Sequence, residues 1–234
     1  MNHQIRIIGK ILQATERGKG RYEVALGGAR PGAGQMVPWY LRLSYFPPKG
    51  ESFPWKEGDQ VFFQARLNSF TRREGGRGLS LTAIYGYTLE VPLPTGENDL
   101  PIGGSPEIWG LGNLTAVPDL RYTPTGKAVM SGVIAINANR ETKQTHFLPF
   151  TLWGEMAERL ADFLQRGQLV VFHGHLYGES WVTKDGEKRY ALKAELSSLV
   201  PLVRKSKGAF DEAPPASPPV SFDDLPPPEE DLPF

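Results

Sequence analysis

Two seven-residue stretches limit what this chain can fold into. Tyr40-Leu41-Arg42-Leu43-Ser44-Tyr45-Phe46 can be laid on Phe147-Leu148-Pro149-Phe150-Thr151-Leu152-Trp153, about 107 residues further on. Side chains alternate across a strand, so Leu41, Leu43 and Tyr45 share one face, as do Leu148, Phe150 and Leu152. That face is a core. The other face carries an aromatic at each end, and in the first copy Arg42 lies between them. A core would not take in an unpaired guanidinium, so this face points to solvent or to a ligand. A second match sets Gly58-Asp59-Gln60-Val61-Phe62-Phe63 on Gly167-Gln168-Leu169-Val170-Val171-Phe172, with Leu67 on Leu176. Two long, matched β-rich halves mean a duplicated domain rather than a solenoid.

In the first half the pattern predicts strands at 5–12, Arg21 to Leu26, Val37 to Phe46, Gln60 to Phe70 and Leu79 to Glu90. Gly27-Gly28 should close the second strand, with a loop from Gly27 to Gly34. Pro47, Pro48, Gly50, Pro54 and Gly58 exclude a helix between the third and fourth. Thr71 to Gly78 reads as a basic hairpin turn. Five strands without a strong helix make a small barrel over residues 1–92. Residues 93–106 have linker composition. The second half, 107–203, predicts strands at Ile108 to Leu114, Ala128 to Asn137, His146 to Trp153, Leu169 to Trp181 and Arg189 to Val200. It adds a helix from Glu155 to Gln165, with Met156, Leu160, Phe163 and Leu164 on its apolar stripe and Gly167 as its stop. The expected fold is mainly β: two tandem five-stranded barrels on a short linker, then a disordered tail over 204–234.

The formal net charge of zero averages unlike parts. Residues 209–234 hold seven acids, eight prolines and no Lys or Arg, which leaves the body at +7, concentrated in the first half. A cationic body favours a polyanionic partner. There is no cysteine, so disulfides and thiolate metal sites are excluded. No apolar run approaches the roughly 20 residues that span a bilayer, and the start lacks a leader pattern, so the expected location is cytoplasmic and nucleoid-associated. His173 and His175 stand i, i+2 on one strand without a neighbouring carboxylate at ligand spacing. No phosphate loop or Ser/His/Asp set has local support. The chain reads as a binder, not an enzyme, with no cofactor and no metal.

The second half carries recognisable words. Gly112-Asn113-Leu114-Thr115-Ala116-Val117-Pro118-Asp119-Leu120-Arg121-Tyr122-Thr123-Pro124-Thr125-Gly126 resembles the first-strand-and-turn signature of bacterial single-stranded-DNA-binding proteins. Trp153-Gly154-Glu155-Met156-Ala157-Glu158 resembles that family's strand-to-helix corner, and Leu164-Gln165-Arg166-Gly167-Gln168-Leu169-Val170 its helix exit. Glu230-Asp231-Leu232-Pro233-Phe234 resembles its acidic tip. The subtype it resembles has two OB domains per chain and pairs as a homodimer presenting four OB folds.

The resemblance implies sequence-independent binding of single-stranded DNA in replication, recombination and repair. Flat aromatic faces would stack bases and cations would hold phosphates. Phe147, Trp153 and Trp181 fall where the family places stacking aromatics, and the repeat puts Tyr40 and Phe46 in corresponding places, with Phe70 extending the surface. The phosphate candidates are Arg42, Arg72, Arg73, Arg77, Arg121, Lys184, Lys188 and Arg189. Trp39 and Trp55 read as packing. Glu229, Glu230, Asp231, Leu232, Pro233 and Phe234 would form a tip that recruits replication and repair proteins, tethered by the proline-rich segment. Some family features are missing: Pro149 and Glu155 stand where basic residues are usual, and no aromatic lies around Asn137 to Lys143. The alternatives are an RNA-binding OB protein, or an assembly scaffold with little nucleic-acid affinity.

Overall fold

The computed structural model describes residues 3–203 apart from 33, 72–76, 97, 138–143 and 183–187. In chain order it holds β1 (His3–Glu16), β2 (Tyr22–Pro31), β3 (Met36–Tyr45), β4 (Gln60–Thr71), β5 (Arg77–Thr88), β6 (Pro106–Leu114), β7 (Asp119–Tyr122), β8 (Ala128–Asn137), β9 (Thr145–Trp153), α1 (Glu155–Ala161), β10 (Leu169–Val182) and β11 (Lys188–Pro201).

The pairings form two closed circuits. β1 pairs with β2 and β4, β2 with β3, and β4 with β5; a parallel contact between Ser44 and Thr82 joins β3 to β5 and shuts the ring. The same circuit recurs as β6, β8, β9, β11 and β10, shut by the parallel pair β9 and β11. Each is a five-stranded OB barrel, and closure leaves few strand edges to aggregate. β7 adds a short hairpin to β8.

The duplication extends to irregularities. Gly58 and Gly167, matched by the repeat, both hold positive φ, 96° and 81°, at the turn into the fourth strand of each barrel. The bulge in β4 falls between Gln64 and Ala65, and that in β10 between His173 and Gly174, the matched positions.

Both barrels fill with the alternate residues of their strands. Ile5, Ile7, Leu41, Leu43 and Phe63 are buried in the first, and Ile108, Leu148, Phe150 and Phe172 in the second. Burying each such side chain is worth about 1.5–3 kcal/mol. The barrel ends are plugged differently. α1 supplies Ala157, and Leu164 follows it, under barrel 2. The proline loop of barrel 1 supplies Phe53 and Trp55 instead. Phe53 stacks on Tyr22 at 4.9 Å, and Trp55 meets Tyr45 and Phe63 edge-on at 4.9 and 5.0 Å.

β1 and β6 pair antiparallel and join the barrels. Ile5 lies opposite Ile108 there, while within the barrels Ile5 faces Ala65 and Ile108 faces Gly174. Matched residues therefore meet each other, which places an approximate two-fold axis at the Ile5–Ile108 pair. Polar contacts flank this seam. Ser69 Oγ lies 2.7 Å from His146 Nδ1, Ser105 Oγ lies 2.6 Å from His175 Nδ1, and Arg30 donates to Glu195 at 2.8 Å. Within 93–106, Leu100 is buried, and Gly104 is held against barrel 1, its carbonyl accepting from the Trp39 indole at 3.0 Å.

Three expectations need correction. β2 runs on through Gly27-Gly28 to Pro31. The Trp39 ring lies over Gly28, where a Cβ would come within 2.6 Å of it, so the glycines admit the ring rather than end the strand. α1 stops at Ala161, four residues short of the expected end, and its buried stripe is Ala157, Leu160 and the following Leu164. Met156 and Phe163 are exposed, Phe163 by 68%. β7, between Pro118 and Pro124, was not expected.

Candidate nucleic-acid interface

The outward rows of β3 and β9 are built by alternation. With Leu41 and Leu43 filling barrel 1, Tyr40 and Arg42 must point out, and Tyr40 lies beside Gly27 of β2. Phe147 likewise lies beside Ala135 of β8. A small neighbour leaves a ring face open. Tyr40 is 54% exposed and Phe46, just past the end of β3, 53%. Arg42 is largely exposed and lies 3.6 Å from Glu23. Phe147 and Trp153 are half-buried on β9. Arg121, Val129 and Trp153 form one row across β7, β8 and β9, and Arg121 is paired with Asp119.

The two-fold seam brings each barrel's last hairpin onto the other's third strand. β5 reaches β9, and β10 reaches β3. At the first corner Phe70, 46% exposed, covers Gly78, and the Arg77 guanidinium lies 5.3 Å from the Phe147 ring centroid. Two residues expected to act in different barrels thus meet across the seam. At the second corner burial raises the pKa of the Tyr190 phenol, and the backbone amide and guanidinium of Arg42 pull it partly back. Trp181 lies half-buried on β10, opposite Arg189. Trp39 and Trp55 are buried, as expected.

Arg72, Arg73 and Lys184 lie outside the described residues, as do Glu229, Glu230, Asp231, Leu232, Pro233 and Phe234. Lys188 and Arg189 belong to β11 by backbone, and their side chains are also outside.

Burial holds His3, His146 and His175 below the ordinary imidazole range, so at neutral pH none of them adds to the cationic surface. Among the described residues no group of three or more His, Cys, Asp or Glu could hold a metal, and no helix is long and apolar enough to cross a membrane.

Sequence reasoning missed Lys127, whose ammonium stands 5.0 Å from the Trp153 ring centroid. Its signal was its place immediately after the Thr123-Pro124-Thr125-Gly126 turn, at the mouth of β8. It also missed an aromatic group on β4 and β5 of barrel 1. Phe62, Tyr85 and Tyr87 lie in succession there, 6.4 and 5.7 Å between ring centroids, with both tyrosines exposed.

Residues 108–201 match the single-strand binding protein family. A single-stranded DNA-binding protein of Deinococcus radiodurans is 30% identical across 93% of this chain and 82% of its own length. One from Thermus aquaticus is 31% identical across 87% and 83%. The crystal structure of the wild-type Thermus aquaticus protein superposes with a TM-score of 0.67 at 25% identity, covering 89% of this chain and 96% of that one.

Proposed function

The chain belongs to the single-strand binding protein family and binds single-stranded DNA rather than acting as an enzyme; from that premise we propose how it holds the strand. Bases stack on Tyr40, Phe46 and Phe70 of the first barrel and on Phe147, Trp153 and Trp181 of the second. Arg42, Arg72, Arg73, Arg77, Arg121, Lys184, Lys188 and Arg189 meet phosphates. Binding is independent of sequence, because every base has a π-face. The observation that carries this reading is the exposure of Tyr40 on, and of Phe46 just past, a strand whose other face is filled core. Each residue keeps more than half of its surface in water, where packing gives it nothing. Oligo(dT) should quench the tryptophan emission, and Trp153→Phe should remove part of that quench. Unquenched emission at low salt would favour the scaffold reading; tighter binding of RNA than of DNA of the same sequence would favour the RNA module.

The domain bounds that go with this reading are 1–92, 93–106 and 107–203, with a tail over 204–234. The tip, Glu229 to Phe234, recruits replication and repair proteins, its aromatic end entering an apolar pocket and its carboxylates meeting cations. Deleting Asp223 to Phe234 should abolish recruitment and leave DNA affinity equal or higher; lower affinity would overturn that part. The chain pairs as a homodimer, and the Phe62–Tyr85–Tyr87 group, with both tyrosines exposed, supports a contact on that face. Sedimentation should give twice the 25.9 kDa chain mass. Such a protein would work in the cytoplasm at the nucleoid.

A further inference from the structure

Two of the proposed stacking rings carry a cation over them. Lys127 Nζ stands 5.0 Å from the centroid of Trp153, and Arg77 Cζ stands 5.3 Å from that of Phe147. Among the described residues no cation covers Tyr40, Phe46 or Phe70, and neither Lys127 nor Arg77 pairs with a carboxylate. Arg42 and Arg121 do have acids, Glu23 and Asp119. Among the described residues the first barrel's rings are therefore bare, and two of the second barrel's are capped. Both caps are exposed, so the ring quadrupole holds them only weakly.

We propose that Lys127 and Arg77 are exchangeable caps of the second barrel's binding face. A base and a cation cannot occupy the same ring face. When a base arrives on Trp153 or Phe147, the cap leaves the ring and moves to a phosphate of the incoming strand. Each cap thus has a partner in both states: a ring in the free protein, a phosphate in the complex. Arg77 does this across the seam, since it comes from barrel 1 and its ring from barrel 2. Lys127 becomes a binding residue, although it stands at a turn without an aromatic or an acid beside it in sequence.

The two states respond oppositely to salt. The phosphate contact dominates at low salt, where counterion release rewards it. At high salt that reward fades, and displacing the cap remains as a cost. Removing the cap should therefore weaken binding at low salt and strengthen it at high salt. The proposal rests on stacking at Trp153 and Phe147, so the test reads both. Full-length wild type, Lys127→Gln, Arg77→Gln and Lys127→Arg are titrated with fluorescein-labelled oligo(dT) from low to high salt. Trp153→Phe is run alongside to isolate the Trp153 emission.

Each neutral variant should lower the log–log salt slope by about 0.7. Its binding curve should cross that of wild type and end roughly two- to five-fold tighter at high salt. Lys127→Arg keeps the charge and should not cross. Curves that run parallel, or that converge without crossing, overturn the caps. If Trp153→Phe loses none of the quench, stacking at Trp153 fails, and the Lys127 cap with it. Quenching without crossing removes the caps alone. Unchanged thermal midpoints confirm that the exposed substitutions leave the fold intact.

Discussion

Acid should open the seam between the barrels, and His3 sets the size of the effect. His3 lies at the start of β1, opposite Gly110 of β6, and is only 3% exposed. The Leu67 amide donates to its Nε2 at 3.4 Å, and its Nδ1 has no partner among the described residues. The ring meets His146 edge-on at 6.1 Å. Burial, then the charge His146 would carry, then the chain's amino terminus push its pKa from 6.5 down to about 4. The sign follows from linkage. Above pH 6.5 neither the folded nor the unfolded chain protonates this ring. Between 6.5 and about 4 the unfolded chain takes a proton that the folded one refuses, so stability falls as pH falls. Below about 4 both states are protonated, and the loss levels off. Each pH unit in that window costs about 1.4 kcal/mol, so this residue removes roughly 3 kcal/mol in all. His146, also lowered by burial, adds a loss of the same sign. Urea unfolding of wild type and His3→Gln, at fixed protein concentration from pH 7.5 to 4, isolates the His3 share. Relative to wild type, the variant should gain roughly 3 kcal/mol of stability as the pH falls through the window. Parallel stability profiles would refute the reasoning.

Two further substitutions separate binding from folding. Tyr40→Ala and Phe46→Ala should each weaken oligo(dT) binding by about 1–3 kcal/mol, measured by fluorescence anisotropy, with little change in thermal midpoint because both residues are more than half exposed. Unaltered affinity in both would remove barrel 1's third strand from the interface. Gly174→Ala should do the reverse. A Cβ there would lie 2.2 Å from the Glu195 carbonyl oxygen and 2.7 Å from Leu196 Cα, both backbone atoms at the β10 bulge. The strain should cost roughly 2–4 kcal/mol by calorimetry, and an unchanged melting temperature would show that the bulge relaxes.

The repeat was legible because period-two alternation is local. Leu41 and Leu43, or Leu148 and Phe150, announce a face without reference to any partner. The rows Tyr40–Phe46 and Phe147–Trp153 could therefore be placed outward before any strand was paired. Helix limits were less legible. Met156 and Phe163 suit an apolar stripe as well as Ala157 does, and only the barrel they dock on decides between them. Gly27 and Gly28 read as a stop, since nothing local shows that Trp39 must lie across Gly28. The seam was invisible for a related reason. Ile5 and Ile108 each look like ordinary barrel residues, and their meeting depends on how two finished barrels pair. Everything that follows from the seam was hidden with it: the Arg77–Phe147 contact and the buried His3–His146 pair.

The central claim is that both barrels hold the strand on the outward rows of their third strands. Photocrosslinking of the full-length protein to poly(dT), read by mass spectrometry, tests it residue by residue. Thymine adducts should form at Tyr40 and Phe46 and also at Phe147 and Trp153 in one saturated complex. Adducts confined to a single barrel, or concentrated on Phe62, Tyr85 and Tyr87 of β4 and β5, would contradict it.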